Sequence, residues 1–212
     1  MMVLTEDERD VVTELMNLGV GQAAAAFSQM IGEEIHLSVP SVEVMSREAA
    51  AVALARLTCD RATGITQSFE GALAGVAALV FPEAKSLHIV RSVLGGAYPV
   101  QEITELAQET LLEIGNIILN ACLGTIGNFL QTEVVSSLPT LTNEVNRDLF
   151  TAAEAEKDGS GGVEDSVVLF LHIRFLIRSD DVSGYLMFVM DVVGVERFRQ
   201  LVSACLRAVG RE

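Results

Sequence analysis

The chain has 212 residues, half of them apolar and a fifth charged, and its 14 basic and 29 acidic side chains give a formal net charge of −15. Disordered and low-complexity proteins are excluded because they combine low hydrophobicity with high charge. A surface this acidic repels phosphate groups, so nucleic acid and anionic membranes are poor partners. The charge favours binding to a basic patch on another protein.

The cysteines and the apolar runs indicate a cytoplasmic protein. Cys59, Cys122 and Cys205 lie far apart among apolar or small residues, so we expect reduced core thiols. The start of the chain lacks the basic and apolar regions of a signal peptide. The nineteen uncharged residues Ile114–Thr132 contain three asparagines and a glutamine. Because buried amides are costly in lipid, we expect a helix packed on a sheet rather than a membrane span.

The first predicted element is a long helix over Thr5–Met30. Thr5 is its predicted N-cap, and Glu8 three residues later completes a capping-box pattern before an apolar run. The small residues Ala23–Ala26 on its apolar face favour close approach to a sheet.

Strands and a second helix follow in the first half. They are predicted at Glu34–Val44, Val52–Cys59 and Gly71–Phe81, with a polar turn at Asp60–Thr66 between the last two. Pro82 suits the first position of a helix that ends at Gly95 and Gly96.

The second half predicts a similar series. A long helical pattern contains LEIGNIILNACLGTIGNFL, beginning at Leu112. The strand Ser166–Arg178 alternates apolar residues on one side, and it pairs with Gly184–Met190 across a turn at Asp180–Ser183. An amphipathic helix completes this half.

The two halves repeat one another. The segment Thr13–Met45 resembles Leu112–Val145 at a shift of 99 positions, and Gly75–Gly96 resembles Gly184–Gly210 at a shift of 109. The extra ten or so residues are assigned to a glycine-rich surface loop, Ala153–Gly162. We therefore expect one domain, residues 1–212, made of two repeats at about 5–98 and 102–210, and we favour a monomer.

The predicted fold class is mixed α/β with α+β character. Its helix–strand units are duplicated with pseudo-twofold symmetry, and two long helices lie on one side of a shared, mainly antiparallel sheet.

The strongest motif occurs once in each half. It reads Asp10-x3-Glu14-x2-Asn17-x22-Pro40 in the first and Glu109-x3-Glu113-x2-Asn116-x22-Pro139 in the second. Positions i, i+4 and i+7 share one helix face, so each carboxylate lies beside its amide. A carboxylate can anchor a cation, and an amide can both donate to and accept from one water molecule. Such a pair can hold a water in line with a phosphoryl group on another protein.

Two alternatives to this chemistry stay open. A single Glu-x2-Asn pattern is usually a solvated helix face, and duplication can preserve scaffold residues instead of chemistry. The prolines Pro40 and Pro139 are assigned to structure, because proline lacks an N–H donor and fixes the chain as it leaves a strand. The three histidines show no metal-ligand spacing, so no metal site and no cofactor are predicted in this chain.

These motifs and the helices ELMNLGVGQAAAAFSQMIG and EIGNIILNACLGTIGNFL resemble the CheC/CheX/FliY phosphatases of bacterial and archaeal chemotaxis. With two motifs and no room for a flagellar-switch domain, the chain looks most like CheC-type members. The resemblance implies removal of the phosphoryl group from the aspartyl phosphate of a CheY-type response regulator. It also implies a second partner, the deamidase CheD.

The resemblance carries roles over to particular residues. Glu14 and Glu113 would each pair with a lysine of the regulator, and Asn17 and Asn116 would each position the attacking water. The Mg²⁺ that offsets phosphate charge would belong to the regulator. Asp10, Glu109, Pro40 and Pro139 complete the motifs.

Each motif departs from the family pattern at one position. Glu109 stands where the family has Asp or Ser, and Met16 stands where Gly is common, whereas Gly115 keeps it. An outward-facing Met16 would crowd a docking helix. The main alternative to a phosphatase is a non-catalytic adaptor that binds phosphorylated regulator or CheD. A small-molecule hydrolase is a weaker alternative, because no further acid–base set is visible.

Overall fold

A seven-stranded sheet organises the computed structural model, which describes residues 4–59, 61–94, 105–142, 166–177, 180–208 and 210. In this part of the chain the helices are α1 (Glu6–Ile31), α2 (Arg47–Thr58), α3 (Glu83–Val93), α4 (Glu105–Phe129) and α5 (Val192–Ala208). The strands are β1 (Ile35–Ser46), β2 (Ala62–Gly71), β3 (Gly75–Pro82), β4 (Val134–Ser136), β5 (Thr140–Thr142), β6 (Ser166–Ile177) and β7 (Asp180–Asp191).

The sheet is antiparallel at each pairing of these strands. Its order is β1-β6-β7-β3-β2-β4, and β5 also pairs with β2. The hairpins β6–β7 and β2–β3 meet at the centre through β7 and β3, and β1 and the β4–β5 pair lie at the two edges. The predicted α/β class with a mainly antiparallel sheet is confirmed. The division into two repeats stays a prediction, and the predicted loop at 153–162 lies outside the described residues.

The sheet separates two apolar layers. On β6, Leu169, Leu171 and Ile173 face the larger layer, which also contains residues of α1, α3, α4 and α5. Their neighbours Val168 and Phe170 face the smaller layer, which α2 covers. Because successive strand residues point to opposite faces, this alternation fixes the orientation of the strand. The two long helices α1 and α4 pack on the same face, as predicted.

The predicted strand Val52–Cys59 is wrong, because these residues belong to α2. Ser46 caps that helix by accepting a hydrogen bond from the Ala49 N–H at 3.2 Å. Ala50 and Leu54, four residues apart, are fully buried against the sheet. The segment's alanines favour a helix, and its apolar residues follow a helical period rather than an alternating one.

Both predicted polar turns are also wrong. Ala62–Thr66 belong to β2, and Asp180–Ser183 form the start of β7, where Asp180 is opposite Ile177. Asp60 lies outside the described residues. The polar residues that predicted these turns lie at strand ends, where polar side chains are tolerated. The predicted helix stop at Gly95 and Gly96 lies outside the described residues.

The cysteine prediction holds for one residue and fails for another. Cys122 is fully buried, and this burial raises the pKa of its thiol to about 12. Cys59 is instead exposed and ends α2 with a left-handed φ of 52°. The side chain of Cys205 lies outside the described residues.

One described helix, α4, is long and apolar enough to cross a membrane by length and composition alone. In the fold, 56% of its most apolar 18-residue stretch is buried by the rest of the chain. Core helices meet the same length and hydropathy criteria, so the finding is weak evidence for a span.

Close contact between α4 and β2 depends on Gly115. A Cβ atom at this position would lie 2.4 Å from Cγ2 of Ile65 and 2.8 Å from its Cβ. Ile65 is a fully buried β-branched residue of β2, so it has little freedom to move aside. The glycine therefore sets how closely the second long helix approaches the sheet.

The capping box predicted at Thr5 is present, and it also connects α1 to α5. The Thr5 N–H donates to Glu8 Oε2 at 2.9 Å, and the Glu8 N–H donates to Thr5 Oγ1 at 3.2 Å. The Ser203 hydroxyl of α5 donates to Glu8 Oε1, and the Arg199 guanidinium lies 3.9 Å from it. Burial alone would raise the pKa of Glu8, but these hydrogen bonds and the nearby cation outweigh it and lower the pKa.

We expect Gly115→Ala to lower the free energy of unfolding by about 1–3 kcal/mol, because the added methyl group overpacks the contact with Ile65. Gly124→Ala is the matched control on the same helix, since its Cβ would meet no atom within 4 Å. Alanine should stabilise that site by up to about 1 kcal/mol. Urea denaturation measures the free energy of unfolding of both variants. Equal changes in the two would contradict the close approach of α4 to β2 at Gly115.

We expect Glu8→Gln to destabilise the protein near neutral pH and to lose its effect in acid. A carboxyl whose folded-state pKa is lowered stabilises the fold above its unfolded pKa, here about 4.5, and this stability is lost as pH falls through the folded value. Urea denaturation of both proteins between pH 3 and 7 measures the difference. A difference that is constant over this range would show that Glu8 acts only through packing.

Candidate functional site

The motif carboxylates lie on the solvent side of the two long helices. Asp10 and Glu14 of α1 are exposed, as are Glu109 and Glu113 of α4. Neither pair is buried in the core, so each is accessible to a partner.

The residue before each motif asparagine points into the protein. Met16 is fully buried, so it cannot crowd a docking helix as an outward-facing side chain would. Its counterpart Gly115 is the close contact with β2 described above.

In the first motif, the Asn17 side chain binds the backbone of β1. The Val39 N–H donates to Asn17 Oδ1 at 2.8 Å, and Asn17 Nδ2 donates to the Val39 carbonyl at 3.2 Å and to the Thr13 carbonyl at 3.0 Å. Both N–H groups and the oxygen of the amide are therefore engaged within the chain.

This contact satisfies backbone groups at an irregularity in the sheet. In the pairing of β1 with β6, the register shifts between Ser38 and Ser41, so Val39 and Pro40 have no regular partners on β6. Pro40 has no N–H to donate, and the amide of Asn17 takes the place of the ladder at Val39. The spacing Asn-x22-Pro thus has a structural explanation in the first half.

In the second motif, Asn116 makes a different set of contacts. Its Oδ1 accepts a hydrogen bond from Asn120 Nδ2 at 2.7 Å. Asn116 is half-buried, and its Nδ2 makes no hydrogen bond within the described ranges. It lies one helical turn after the exposed Glu113, so a carboxylate and an amide with free N–H groups stand side by side.

The β strand that follows this motif is interrupted at the matching position. β4 ends at Ser136 and β5 begins at Thr140, and Pro139 lies between them. Ser137 supplies the contacts to β2 here, since its N–H donates to the Ser68 carbonyl at 2.9 Å. Asn116 therefore has no role in satisfying this backbone.

Three polar residues beside Asn116 were missed by the sequence analysis. Gln67 Nε2 donates to Asn120 Oδ1 at 3.2 Å and to the Ser137 carbonyl at 2.6 Å. Ser136 Oγ also donates to Asn120 Oδ1, at 2.8 Å. The i, i+4 spacing of Asn116 and Asn120 could have predicted that their side chains meet on one helix face. The approach of Gln67 could not be predicted in this way, because it depends on tertiary structure.

Exposed apolar side chains border the second motif. Val135 and Leu138, on either side of the segment that contacts Asn120, are 51% and 86% exposed. Large apolar side chains next to a polar site are typical of surfaces that contact another protein. Within the described residues, no group of three or more His, Cys, Asp or Glu side chains could hold a metal ion.

Comparison with known proteins finds similarity to CheC-type proteins. The CheC-like family model matches residues 8–44, which include the first motif and most of β1. The CheY-P phosphatase CheC of Bacillus subtilis is 24% identical over 156 residues, which is 72% of this chain and 72% of that protein. The resemblance to CheC-type proteins that the motifs predicted is confirmed.

Solved structures share the fold. FliY of Thermotoga maritima matches with a TM-score of 0.72 and 20% identity, over 96% of this chain and 99% of that one. CheX in the CheX–CheY–BeF3–Mg²⁺ complex of Borrelia burgdorferi matches with a TM-score of 0.51 and 14% identity, over 84% and 99% of the two chains. At these identities the matches describe the fold alone.

We expect replacement of the two motif asparagines to affect stability unequally. Asn17→Ala leaves the N–H and C=O of the buried Val39 without partners, which should lower the free energy of unfolding by about 2 kcal/mol or more. Asn116→Ala removes one hydrogen bond between two side chains and leaves no buried backbone group unpaired, so the loss should stay below about 1 kcal/mol. Urea denaturation of the two variants measures the difference, and equal losses would show that the Asn17 contact contributes little.

Proposed function

Given the resemblance to the CheC-like family, we propose that this chain is a phosphatase acting on the aspartyl phosphate of a CheY-type response regulator. The observation that carries the proposal is the second motif: an exposed carboxylate, Glu113, stands beside an amide, Asn116, whose N–H groups are free within the described residues. The name of the related Bacillus subtilis protein supports the same substrate class.

The second motif can supply both parts of the reaction. Glu113 pairs with a lysine of the regulator and so sets the position of the docked partner. Asn116 Nδ2 donates to a water molecule, and the remaining lone pair of Oδ1 accepts one of its protons. The water oxygen then attacks phosphorus in line, and the bond from phosphorus to the aspartate oxygen breaks with its electron pair going to the aspartate carboxylate. The product leaves as dihydrogen phosphate, which keeps both protons of the water.

We assign the Mg²⁺ of this reaction to the regulator. The chain's own residues position the water and the partner, and the ion offsets charge on the phosphoryl group. The carboxylates along α1 and α4 favour a regulator surface that carries lysine, as does the net charge of −15. The same resemblance supports a cytoplasmic location and the CheD deamidase as a second partner.

The alternative function is a non-catalytic adaptor, and the first motif favours it for its own half. Asn17 uses its whole amide on Val39 and Thr13, so it has no N–H left to hold a water. Asp10 and Glu14 remain exposed and could still dock a regulator. We therefore propose that the second motif performs the chemistry and that the first contributes binding alone.

We expect Asn116→Ala to lower kcat for phosphate release about 100-fold, because a misplaced reacting group costs about that much. The affinity for phosphorylated regulator should change little, since the amide acts in the transition state. Glu113→Ala should instead raise KM. The measurement is phosphate release from a phosphorylated CheY-type regulator in Mg²⁺, together with binding to the BeF3-treated regulator.

Asn128→Ala is the matched control for this experiment. Asn128 is an exposed asparagine of the same helix, twelve residues beyond Asn116 and about 18 Å away along the axis. It should leave both kinetic constants unchanged. Binding without any acceleration by the unaltered chain, with CheD present or absent, would favour the adaptor, and absence of binding would exclude both functions.

A further inference from the structure

We propose that Asn120 is a positioning residue, which fixes the direction of the Asn116 amide so that its N–H groups face the docked regulator. This inference rests on the proposed function, because it assigns a purpose to the orientation of Asn116. A series of three hydrogen-bonded amides, those of Gln67, Asn120 and Asn116, begins at the Ser137 backbone and ends at the second motif.

The direction of this series follows from its first hydrogen bond. The Ser137 carbonyl can only accept, so the Gln67 atom 2.6 Å from it must be the donor Nε2. The same Nε2 contacts Asn120 at 3.2 Å, which requires the acceptor Oδ1 of Asn120 at that point. Ser136 Oγ donates to the same oxygen at 2.8 Å.

The remaining end of Asn120 is then determined. With Oδ1 directed at Gln67, Nδ2 faces Asn116, and at 2.7 Å it must meet an acceptor, Asn116 Oδ1. The N–H groups of Asn116 are left on the opposite side of its amide. A backbone carbonyl of the β4–β5 segment thus fixes the direction of an amide on α4.

The Gln67 side chain, the first of the three hydrogen-bonded amides, has little freedom to move. Gln67 is 2% exposed and belongs to β2, so its side chain is confined between the sheet and α4. Its Oε1 makes no hydrogen bond within the described residues. Rotating the amide would not remove this defect, because it would place Oε1 against the Ser137 carbonyl. The orientation of Gln67 is therefore retained although one buried oxygen lacks a partner.

The first motif has no side chain at the position that corresponds to Asn120. The shift of 99 that aligns the motifs places Gly21 opposite Asn120, and a Cβ at Gly21 would meet no atom within 4 Å. Asn17 is oriented by the Val39 backbone instead, and this contact uses its N–H groups. Only in the second motif does a side chain orient the asparagine and leave its donors free.

The consequence for the reaction is preorganisation. An amide held in the productive direction does not have to be ordered when the regulator docks, and it cannot present its oxygen alone to the water. Removing Asn120 should therefore lower kcat more than it changes KM.

The test compares Asn120→Asp with Asn120→Ala. The aspartate keeps the acceptor for Gln67 and Ser136 but has no donor for Asn116 Oδ1, so the Asn116 amide turns to donate its own Nδ2. We expect kcat to fall at least tenfold in Asn120→Asp, and about threefold to fivefold in Asn120→Ala, where the amide is merely unrestrained. KM should stay within about twofold in both.

Asn128→Asp is the matched control, since it makes the same substitution and charge change at an exposed site on the same helix. It should leave kcat unchanged. A merely structural role for Asn120 predicts that the alanine variant is as impaired as the aspartate, or more so. The inference is overturned if kcat of Asn120→Ala is as low as that of Asn120→Asp or lower. It is also overturned if kcat of Asn120→Asp equals that of the Asn128→Asp control.

A second readout does not depend on activity. The ¹⁵N side-chain resonances of Asn116, assigned by their loss in Asn116→Asp, should shift in Asn120→Asp because the amide then donates to a carboxylate, and stay unchanged in Asn128→Asp. If the unaltered chain fails to accelerate phosphate release but this shift is seen, the proposed function fails and the orientation by Asn120 is supported. Unchanged Asn116 resonances in Asn120→Asp overturn the inference whether or not the chain is a phosphatase.

Discussion

A proline near the middle of each edge strand leaves backbone groups that the sheet cannot satisfy, and the site follows from how each half meets this constraint. In β1 the strand continues through a bulge at Val39 and Pro40, and the Asn17 amide replaces the missing ladder contacts. At the opposite edge the strand breaks into β4 and β5, and Ser137 contacts β2 directly. Buried backbone groups must be paired, so only the second solution releases its asparagine.

The position of Asn116 also depends on the closeness of α4 to the sheet. Gly115 allows the helix to contact Ile65 of β2, and Gln67 lies two residues further along that strand on the same face. The polar chain from Ser137 to Asn116 can form only at this short separation. A packing requirement in the core thereby determines the direction of an amide at the surface.

Much of this could be predicted from the sequence, because it depends on local spacing. The Thr5–Glu8 cap, the two long helices, the paired motif stripes and the alternating strand β6 follow from short-range patterns. The helix α2 was misassigned although its alanines and the i, i+4 spacing of Ala50 and Leu54 favour a helix. The different contacts of Asn17 and Asn116 could not be predicted, since the motif is the same in both halves. They depend on Val39, which lies 22 residues from Asn17, and on Gln67, which lies 53 residues from Asn120.

The two motifs show how one short pattern can serve stability and chemistry in different places. An amide that binds both polar groups of a peptide unit is rigid but has nothing left for a ligand, as at Asn17. An amide that offers free donors needs some other restraint, and at Asn116 this comes from Asn120, with one unpartnered buried oxygen on Gln67. Departures from full hydrogen bonding are expected at functional sites, where orientation outweighs local stability. The unsatisfied oxygen, Gln67 Oε1, belongs to the hydrogen-bonded series that orients Asn116, the motif asparagine whose N–H groups remain available to a ligand.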